Sequence, residues 1–274
     1  MSAPDDWSDI NRRNWDERVP IHVASTYYDV AGFRAGKGAV EPWEISDLGC
    51  LDGLRFVHLQ CHFGMDTLDL ARRYPSSSAV GLDFSEPAVA AAVALADQMG
   101  LSSRCSFVHG DVLAAATLLG AGQFDLVYTG KGALCWLQDL RPWAVECFEL
   151  LKPGGTLYVS EFHPVGYTLS QTSPTVTDDY FRTEPWVDND EGTYADLSAP
   201  TRENTAICWN HPLFSIFGAL WDAGFTLTAF REFDETLFQQ NQWVVPVDED
   251  HFRWPSDDAR LPLMFSLKAV RPAA

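Results

Sequence analysis

The sequence predicts an α/β fold: a doubly wound, mostly parallel seven-stranded sheet with helices on both faces and an antiparallel last strand. Three observations lead to this fold class. Strands alternate with helices from residue 54 onward, and two final strands have no helix between them. In addition, 46% of the 274 residues are hydrophobic, which is enough for a full core.

The alternating part begins with the apolar strand "LRFVHLQ" at 54–60, followed by a helix at 65–73. The next strand, at 78–84, leads to Ser85, a favourable N-cap for a helix that should end just before Gly100. The later elements are strand 104–111, helix 112–119, strand 123–130, helix 138–150 ended by Pro153-Gly154-Gly155, and strand 156–162.

The end of the chain departs from this alternation. A helix at 211–225 is closed by Gly224 and is followed by a strand at 225–233. The final strand lies at 261–270, and no helical pattern separates it from the strand before it. Strands joined without a crossover helix should pair antiparallel.

Two polar stretches, 164–208 and 234–260, interrupt the pattern. Loops of this length in a compact domain are usually functional or disordered, and the tryptophans in or beside them favour ordered lids. We therefore expect an N-terminal cap segment at 1–50 and a main domain at 51–274 that carries the two lid insertions.

Charge and cysteine usage limit the partners. Nineteen basic and thirty-eight acidic residues give a formal charge of −19, which disfavours nucleic acids and anionic membrane surfaces. The six cysteines form no C-x-x-C pair, so we expect reduced thiols in a cytoplasmic protein. The start "MSAPDDWSD" lacks the apolar core of a signal peptide, and no apolar stretch is long enough to span a bilayer.

Three residues mark one edge of the predicted sheet as a ligand site. Gly64 follows the first strand, where backbone must approach another group closely. Asp83 ends the second strand nineteen residues later, the spacing typical of a carboxylate that binds a ribose diol. Asp111 ends the third strand, so all three lie at the carboxyl edge where doubly wound folds bind ligands.

At these residues the sequence resembles class I S-adenosylmethionine-dependent methyltransferases, which have a Rossmann-like sheet. The resemblance rests on "LQCHFGMDTL", "VGLDFS", "VHGDV", "FDLVYTGKGALCWL" and "LLKPGGTLYVSEF", between about 54 and 163. The usual family loop is acidic-x-Gly-x-Gly-x-Gly; here His58, Gln60 and His62 replace the acid and two glycines, and Gly64 is kept. A subgroup of bacterial small-molecule methyltransferases is similar in its "LQCHFG" loop and its N-terminal segment.

The resemblance implies a set of cofactor contacts. The loop after the first strand should face the methionine part of S-adenosylmethionine, Asp83 should bind the ribose, and Phe84 should cover the adenine. Asp111 should accept from the adenine amino group, and the end of the fourth strand should pass beneath the sulfonium. The implied cofactor residues are Gln60, Cys61, His62, Gly64, Thr67, Asp83, Phe84, Asp111, Val112, Thr129 and Gly130.

Methyl transfer from a sulfonium is an in-line displacement, so the protein mainly aligns donor and acceptor and excludes water. A proton on the acceptor calls for a nearby His, carboxylate or Tyr. The candidates for this catalytic role are Glu161, His163, His211, Tyr28 and His22. Trp15 and Trp209 are candidate walls of the acceptor pocket. The aromatic lids and the resemblance favour a small aromatic or heterocyclic acceptor, methylated on nitrogen or on an indole-type carbon.

Several alternatives stay open. Cys61 and His62 are adjacent residues without a second spaced pair, so we expect no metal. A nicotinamide-dependent oxidoreductase is disfavoured, because G-x-G-x-x-G is absent and its fold does not predict the final pair of strands. A non-catalytic S-adenosylmethionine-binding sensor or partner subunit is the rival from another class. A protein or peptide acceptor is also open, and the sequence does not indicate an oligomeric state.

Overall fold

The computed structural model describes residues 4, 6–248, 251–255 and 259–273. The strands of its main sheet are β1 (Arg55–Leu59), β2 (Ser78–Asp83), β3 (Cys105–His109), β4 (Phe124–Gly130), β5 (Leu151–Phe162), β6 (Thr226–Phe233) and β7 (Met264–Val270). In space these seven described strands lie in the order β3-β2-β1-β4-β5-β7-β6. The pairs among β1 to β5 are parallel, which confirms the predicted fold class.

Helices cover both faces of this sheet. Those in the described residues are α1 (Trp7–Ala24), α2 (Val30–Ala35), α3 (Pro42–Leu48), α4 (Met65–Arg73), α5 (Glu86–Gln98), α6 (Ala115–Leu119), α7 (Leu140–Leu150) and α8 (Leu213–Asp222). One core cluster contains Trp143 of α7 and Leu220 of α8. The other contains Phe33 of α2, Leu68 of α4 and Leu95 of α5. The chain therefore forms three layers, with a core on each side of the sheet.

The local signals explain most of these elements. The Ser85 hydroxyl accepts a hydrogen bond from the Ala88 N–H, which confirms the predicted N-cap of α5. One boundary was wrong, because Pro153-Gly154-Gly155 does not separate α7 from β5. The strand begins at Leu151, directly after the helix. The Gly154 N–H donates to the Arg271 carbonyl, and the Arg271 N–H donates to the Gly155 carbonyl, so strand-like pairing extends into this segment.

The last strand is antiparallel, as predicted. Leu267 of β7 lies opposite Val159 of β5 on one side and Phe230 of β6 on the other. This arrangement is the direct result of joining β6 to β7 without a crossover helix. It leaves the carboxyl ends of β1 to β5 at one edge, beneath the segments that were predicted to form a cap.

The N-terminal segment forms α1, α2 and α3, and α1 is bonded to the 164–208 insertion. Asn11 pairs with Ile207 through two hydrogen bonds of 2.8 Å, one from each residue's N–H group to the other's oxygen. The insertion itself contains an antiparallel strand pair, Trp186–Asp188 with Ala206–Cys208. These hydrogen bonds hold the first insertion against α1.

The 234–260 insertion contains three short antiparallel strands: Glu235–Thr236, Val245–Pro246 and Phe252–Arg253. Parts of the predicted cap and lids, at 1–3, 5, 249–250 and 256–258, lie outside the described residues. Tyr194 of the first insertion contacts both Tyr28 and Phe238, with ring centroids 6.3 Å and 5.9 Å away. Aromatic contacts thus join the N-terminal segment and both insertions.

Candidate cofactor and acceptor site

The loop after β1 keeps a glycine-type backbone with few glycines. Gln60, His62 and Gly64 have φ angles of 55°, 51° and 79°, all in the left-handed region. These are the three positions at which the family loop carries glycine. For residues other than glycine this conformation costs about 1–2 kcal/mol each. The loop is therefore built like the glycine-rich form, but two of its left-handed positions carry polar side chains.

Gly64 differs from the other two positions because it has no room for a side chain. A Cβ atom built there would lie 2.6 Å from the Phe107 ring and 3.1 Å from the Ala92 Cβ. The positive φ angle adds a second reason for glycine. Gly64 is therefore fixed by packing between β3 and α5, and it also begins α4 as its N-cap.

Asp83, at the end of β2, holds the loop in place. Its Oδ2 accepts from the His62 N–H at 2.7 Å, and its Oδ1 accepts from the Ser85 N–H at 2.9 Å. Burial raises the pKa of this carboxyl group to about 6, although both N–H donors oppose the shift. Each carboxylate oxygen has a second lone pair, so the group retains the capacity to accept from two ribose hydroxyls.

The other residues expected to contact the nucleoside lie at the same edge. Phe84 is half-buried, and its carbonyl oxygen is 3.0 Å from the His109 Nε2 atom. Asp111 is exposed, and its Oδ1 accepts from the Leu113 N–H. Val112 is buried and belongs to a core cluster, so contact with a ligand would come from its backbone.

The structure differs from the expectation for Thr67. Its side chain is fully buried, and its hydroxyl lies 2.8 Å from the His58 Nδ1 atom. His58, which replaces the family's acidic residue, is also buried, and burial lowers its pKa to about 3. Thr67 and His58 therefore form a neutral internal pair beneath the loop. Cys61 is buried as well, with its thiol 3.5 Å from the His62 carbonyl, and burial raises its pKa.

The end of β4 carries a buried ion cluster that sequence reasoning missed. Lys131 has a φ angle of 61°, and its ammonium lies 3.1 Å from Glu44 Oε2 and 3.0 Å from Asp66 Oδ2. Burial opposes the charge on Lys131, but the adjacent carboxylates outweigh it and raise the lysine pKa. Tyr128 donates to Glu44 Oε1 at 2.7 Å. The cluster ties α3 and α4 to the segment that should pass beneath the sulfonium.

Thr129 and Gly130 precede this cluster. The Thr129 hydroxyl donates to the Leu59 carbonyl at 3.2 Å, which links the ends of β4 and β1. A Cβ atom at Gly130 would lie 2.0 Å from the Ser160 carbonyl oxygen, so only glycine allows this contact with β5. Both residues therefore shape the backbone at the edge of the site.

Glu161, at the end of β5, is occupied by backbone donors. Its carboxylate accepts from the N–H groups of Gly132, Ala133, Leu134 and Phe162 at 2.5–3.1 Å. Burial raises its pKa, and the four donors oppose that shift. This geometry favours a role in holding the loop after β4 rather than in removing a proton.

The two histidines that precede prolines also have protein partners. His163 Nδ1 accepts from the Val165 N–H, and Nε2 lies 3.1 Å from Glu232 Oε1. His211 Nε2 donates to the Leu137 carbonyl at 2.7 Å. Burial lowers the pKa of both imidazoles. Their contacts are those of residues that fix turns, although His211 also lines a small cavity.

That cavity lies between the ends of β4 and β5 and the first insertion. Its lining includes Cys135, Tyr167, Trp209, Asn210 and His211. Trp209 is buried and packs edge-on against Trp7 at 5.1 Å between ring centroids, and its backbone N–H donates to the Cys135 carbonyl. The buried Asn210 Oδ1 has no partner among the described residues. Tyr167 and Asn210 were not predicted as site residues.

A second group of aromatic side chains lies directly over the β1 loop. His62 is surrounded by Trp15, His22, Tyr28 and Phe63, with ring centroids 4.6–5.7 Å away. We call these five residues, together with Trp136 and Tyr194, the aromatic chamber. Trp136 contacts Trp15, and Tyr194 contacts His22 and shares a hydrogen bond with the Tyr28 hydroxyl.

The chamber brings together Trp15, His22, Tyr28 and His62 from the predicted residues, and it adds Phe63, Trp136 and Tyr194. The aromatic richness of the predicted lids was a signal for Tyr194 alone, because Phe63 and Trp136 lie outside both lids. The predicted catalytic set is thus divided, and His163 belongs to neither the chamber nor the cavity lining. Tyr28 and His22 lie in the chamber, whereas Glu161 and His211 line the cavity near Trp209. Phe162 of that cavity and Tyr194 of the chamber both contact Phe238.

The polar and aromatic groups of this site suit the chemical groups of S-adenosylmethionine. Gln60 Oε1 and His62 Nδ1 are buried polar atoms without a partner in the described part of the chain. Such atoms are costly unless a ligand or water satisfies them. The remaining lone pairs of Asp83 suit a diol, and the aromatic rings suit a positively charged sulfonium. Among the described residues, no group of three His, Cys, Asp or Glu side chains is placed to hold a metal.

Part of the chain is similar to known proteins. Residues 56–155 match the family model described as "Methyltransferase domain". Trans-aconitate 2-methyltransferase of Deinococcus radiodurans is 37% identical over 103 residues, which is 38% of this chain and 36% of the relative. Malonyl-[acyl-carrier protein] O-methyltransferase 1 of Coxiella burnetii is 29% identical over 168 residues, 61% of this chain and 54% of the relative. The matched segment thus spans about half or less of these curated relatives.

Solved structures share the fold over most of the chain. An S-adenosylmethionine-dependent methyltransferase from Mesorhizobium loti has a TM-score of 0.59 and 20% identity, covering 84% of this chain and 96% of that one. The [4+2]-cyclase SpnF has a TM-score of 0.59 and 18% identity, covering 100% and 99%. No helix in the described residues is both long and apolar enough to cross a membrane. Residues 56–155 thus match a methyltransferase domain, and the main sheet has the Rossmann-like fold shared with these solved structures.

Proposed function

We propose that this protein transfers a methyl group from S-adenosylmethionine to a small aromatic or heterocyclic molecule, on nitrogen or on an indole-type carbon. The observation that carries the proposal is the aromatic chamber over the loop that follows β1. It places apolar ring faces and edges around His62, whose buried Nδ1 atom has no partner among the described residues. The proposal covers the whole chain, including the N-terminal segment and the insertions that the family model does not match.

The chain's residues have separate tasks in this proposal. Asp83 binds the ribose, Phe84 and Asp111 contact the adenine, and the backbone from Gln60 to Gly64 faces the methionine part. When bound, S-adenosylmethionine supplies a methyl carbon on a positively charged sulfur, so the electrophile needs no further activation. The protein aligns the acceptor and excludes water, which is the main catalytic requirement for an in-line displacement.

The chamber indicates the chemical character of the acceptor. Trp15, Tyr28, Phe63 and Trp136 offer faces and edges suited to a planar ring. Burial keeps His22 and His62 uncharged, so these two imidazoles offer no countercharge to a strongly ionic acceptor. The formal charge of −19 gives a further reason to disfavour nucleic acid as the substrate. All six cysteines are free thiols, in keeping with the proposed cytoplasmic setting.

The direct test is calorimetry with S-adenosylmethionine, S-adenosylhomocysteine and NAD, followed by a methyl-transfer screen of planar acceptors. We expect both adenosyl compounds to bind. Asp83→Ala should weaken S-adenosylmethionine binding by about 1.5–3 kcal/mol, because a hydrogen bond to a charged group is lost. Exposed Asp97→Ala, at the far end of α5, is the control and should leave binding unchanged. Tight binding of NAD alone would contradict the proposal.

The fold alone does not select the reaction, because a protein described as a [4+2]-cyclase shares it. A protein that binds S-adenosylmethionine but transfers no methyl group to any planar acceptor would favour the sensor or partner-subunit alternative. The screen should therefore include peptide acceptors. Methylation of a peptide with no planar small-molecule substrate would refute the acceptor class and leave the donor assignment intact.

A further inference from the structure

Two histidines from distant parts of the chain meet in the aromatic chamber. The His22 Nδ1 and His62 Nε2 atoms are 2.9 Å apart, and the two rings are nearly perpendicular, with an interplanar angle of 86°. His22 comes from α1 and is fully buried, whereas His62 comes from the loop after β1. Their outer nitrogens, His22 Nε2 and His62 Nδ1, are buried and have no partner in the described chain. The contact therefore links a cap helix to the candidate cofactor loop.

The protonation of this pair follows from its geometry. One proton must lie between the two facing nitrogens, because two lone pairs at 2.9 Å would repel each other. If both rings are neutral, the second proton is on the outer nitrogen of the ring that accepts the shared bond. The pair thus has one donor end and one acceptor end. These ends are exchanged when the acceptor end gains a proton, the shared proton passes to the other ring, and the donor end loses its proton.

The backbone at His62 indicates that its side chain is needed. A φ angle of 51° is unfavourable for histidine, and the family loop has glycine at this position. Glycine would remove the strain of about 1–2 kcal/mol. Strained residues of this kind cluster at functional sites. The imidazole is therefore the feature that offsets an unfavourable backbone.

We propose that His22 and His62 form a relay that removes the proton that the acceptor loses on methylation. This inference rests on the proposed function and narrows it: the acceptor has an N–H, O–H or ring C–H that becomes acidic when the methyl group is added. His62 is the catalytic base, and His22 is the positioning residue that takes the shared proton. An acceptor that becomes a quaternary ammonium would not need the pair.

The proposed reaction couples methyl transfer to the loss of one proton. A lone pair or π pair of the acceptor forms the bond to the methyl carbon, the carbon–sulfur bond breaks, and its electron pair stays on sulfur. The acceptor, now positively charged, gives its proton to His62 Nδ1. The proton on His62 Nε2 passes to His22 Nδ1, and the proton on His22 Nε2 passes to a water molecule that enters from the outward side. Exchange with water after product release restores the starting tautomers, and one proton is released per turnover.

The direction of the relay follows from the neighbours of each ring. His62 lies in the cofactor loop, one residue from Cys61 and two from Gln60 and Gly64. His22 packs against Tyr194, whose side chain is 40% exposed and so marks the outward side. A relay also suits an apolar chamber, because passing a proton onward avoids a lasting buried imidazolium.

The first test needs no substrate. In the intact protein with ¹⁵N-labelled histidine, NMR should show coupling across an N–H···N bond between His22 and His62, with both rings neutral at pH 6. The groups that face the pair are Arg18 on α1, Tyr28, Tyr194, and Asp83 through the His62 N–H. Titration of either ring near pH 6.5, or absence of the coupling, would overturn the relay.

The second test uses single-turnover methyl transfer with an acceptor found in the screen. His62→Asn tolerates the left-handed backbone, and His22→Phe keeps the ring contacts but removes the nitrogens. Each should lower the rate of the chemical step about 10²–10⁴-fold while S-adenosylmethionine binding stays nearly unchanged. The matched control is His251→Asn, which removes a partly buried histidine bonded to Glu41 and Asp248 outside the chamber.

The outcomes separate the two proposals. An active wild-type protein whose His22→Phe and His62→Asn variants react at the wild-type rate would refute the relay alone. A wild-type protein that methylates no acceptor would refute the proposed function, and the relay with it. Loss of rate together with loss of cofactor affinity would show that the pair only holds the loop, which also overturns the relay.

Discussion

The left-handed backbone at Gln60 and His62 leads to a prediction about stability that is the reverse of the usual order of alanine and glycine. At each position, the glycine variant should be more stable than the alanine variant. Both substitutions remove the same side-chain contacts, such as the bond from Gln60 Nε2 to the Ala133 carbonyl. The comparison of glycine with alanine therefore isolates the backbone. This avoids the difficulty that the wild-type side chains contribute contacts of their own.

The size of the effect follows from two opposing terms. Alanine at a φ angle of 51–55° keeps a strain of about 1–2 kcal/mol, which glycine does not have. Glycine in turn loses about 0.4–1 kcal/mol through the greater freedom of the unfolded chain. The difference favours glycine by about 0.5–1 kcal/mol at each position. At exposed Ala94 in the middle of α5 the order should reverse, because Ala94→Gly costs about 0.5–1 kcal/mol in a helix.

The assay is urea unfolding of Gln60→Gly, Gln60→Ala, His62→Gly and His62→Ala, with Ala94→Gly as the control. The midpoints should change while the slopes stay constant, so that the differences report stability. If alanine were as stable as glycine at both loop positions, the backbone would not be left-handed there. The interpretation of a glycine-type loop with functional side chains would then be wrong.

Three further predictions concern the same edge of the sheet. Glu161→Gln should destabilise the fold by about 2–4 kcal/mol in thermal or urea unfolding, because a carboxylate with four N–H donors is lost; a stable variant impaired only in turnover would instead show a base. Lys131→Met should cost about 3–5 kcal/mol, since the buried Glu44 loses its cationic partner, whereas exposed Arg141→Met should change the free energy of unfolding little. Calorimetry should show that the affinity for S-adenosylmethionine falls as the pH drops through about 6, because the Asp83 carboxylate, whose pKa is raised to about 6, then takes up a proton and accepts hydrogen bonds from the ribose less well. Asp83→Asn should remove this pH dependence. An unchanged pH profile in that variant would contradict the assignment.

The sequence was sufficient for the sheet because its signals are local. A parallel strand buried on both faces is a short apolar run in the sequence. The helices between these strands are marked by caps and glycines, as Ser85 and Gly100 mark the two ends of α5. The antiparallel final strand followed from a missing helix, which is also a local observation. The start of β5 was misplaced because its partners lie elsewhere in the chain: Leu151 pairs with Phe124 of β4, and Gly154 and Gly155 bond to Arg271.

The site was less predictable because its key contacts join distant segments. The pairs His22–His62 and Tyr28–Tyr194 are 40 and 166 residues apart, and no pattern in either segment specifies the partner. Lys131 gave no signal either, since a lysine between two glycines is usually an exposed turn residue. Its cluster forms only because α3 and α4 bring two carboxylates to the end of β4.

The loop after β1 shows how a glycine-rich motif can lose its sequence signature and keep its geometry. Glycine serves two purposes in such a loop: it allows a left-handed backbone, and it leaves space where neighbours are close. At Gly64 both apply, since a Cβ atom would meet Phe107 at 2.6 Å. At Gln60 and His62 only the first applies, and its energetic cost is small enough for useful side chains to offset. A motif search that requires glycine therefore finds positions such as Gly64, where a side chain does not fit. It misses positions such as Gln60 and His62, where a side chain fits and only the backbone angle is unfavourable.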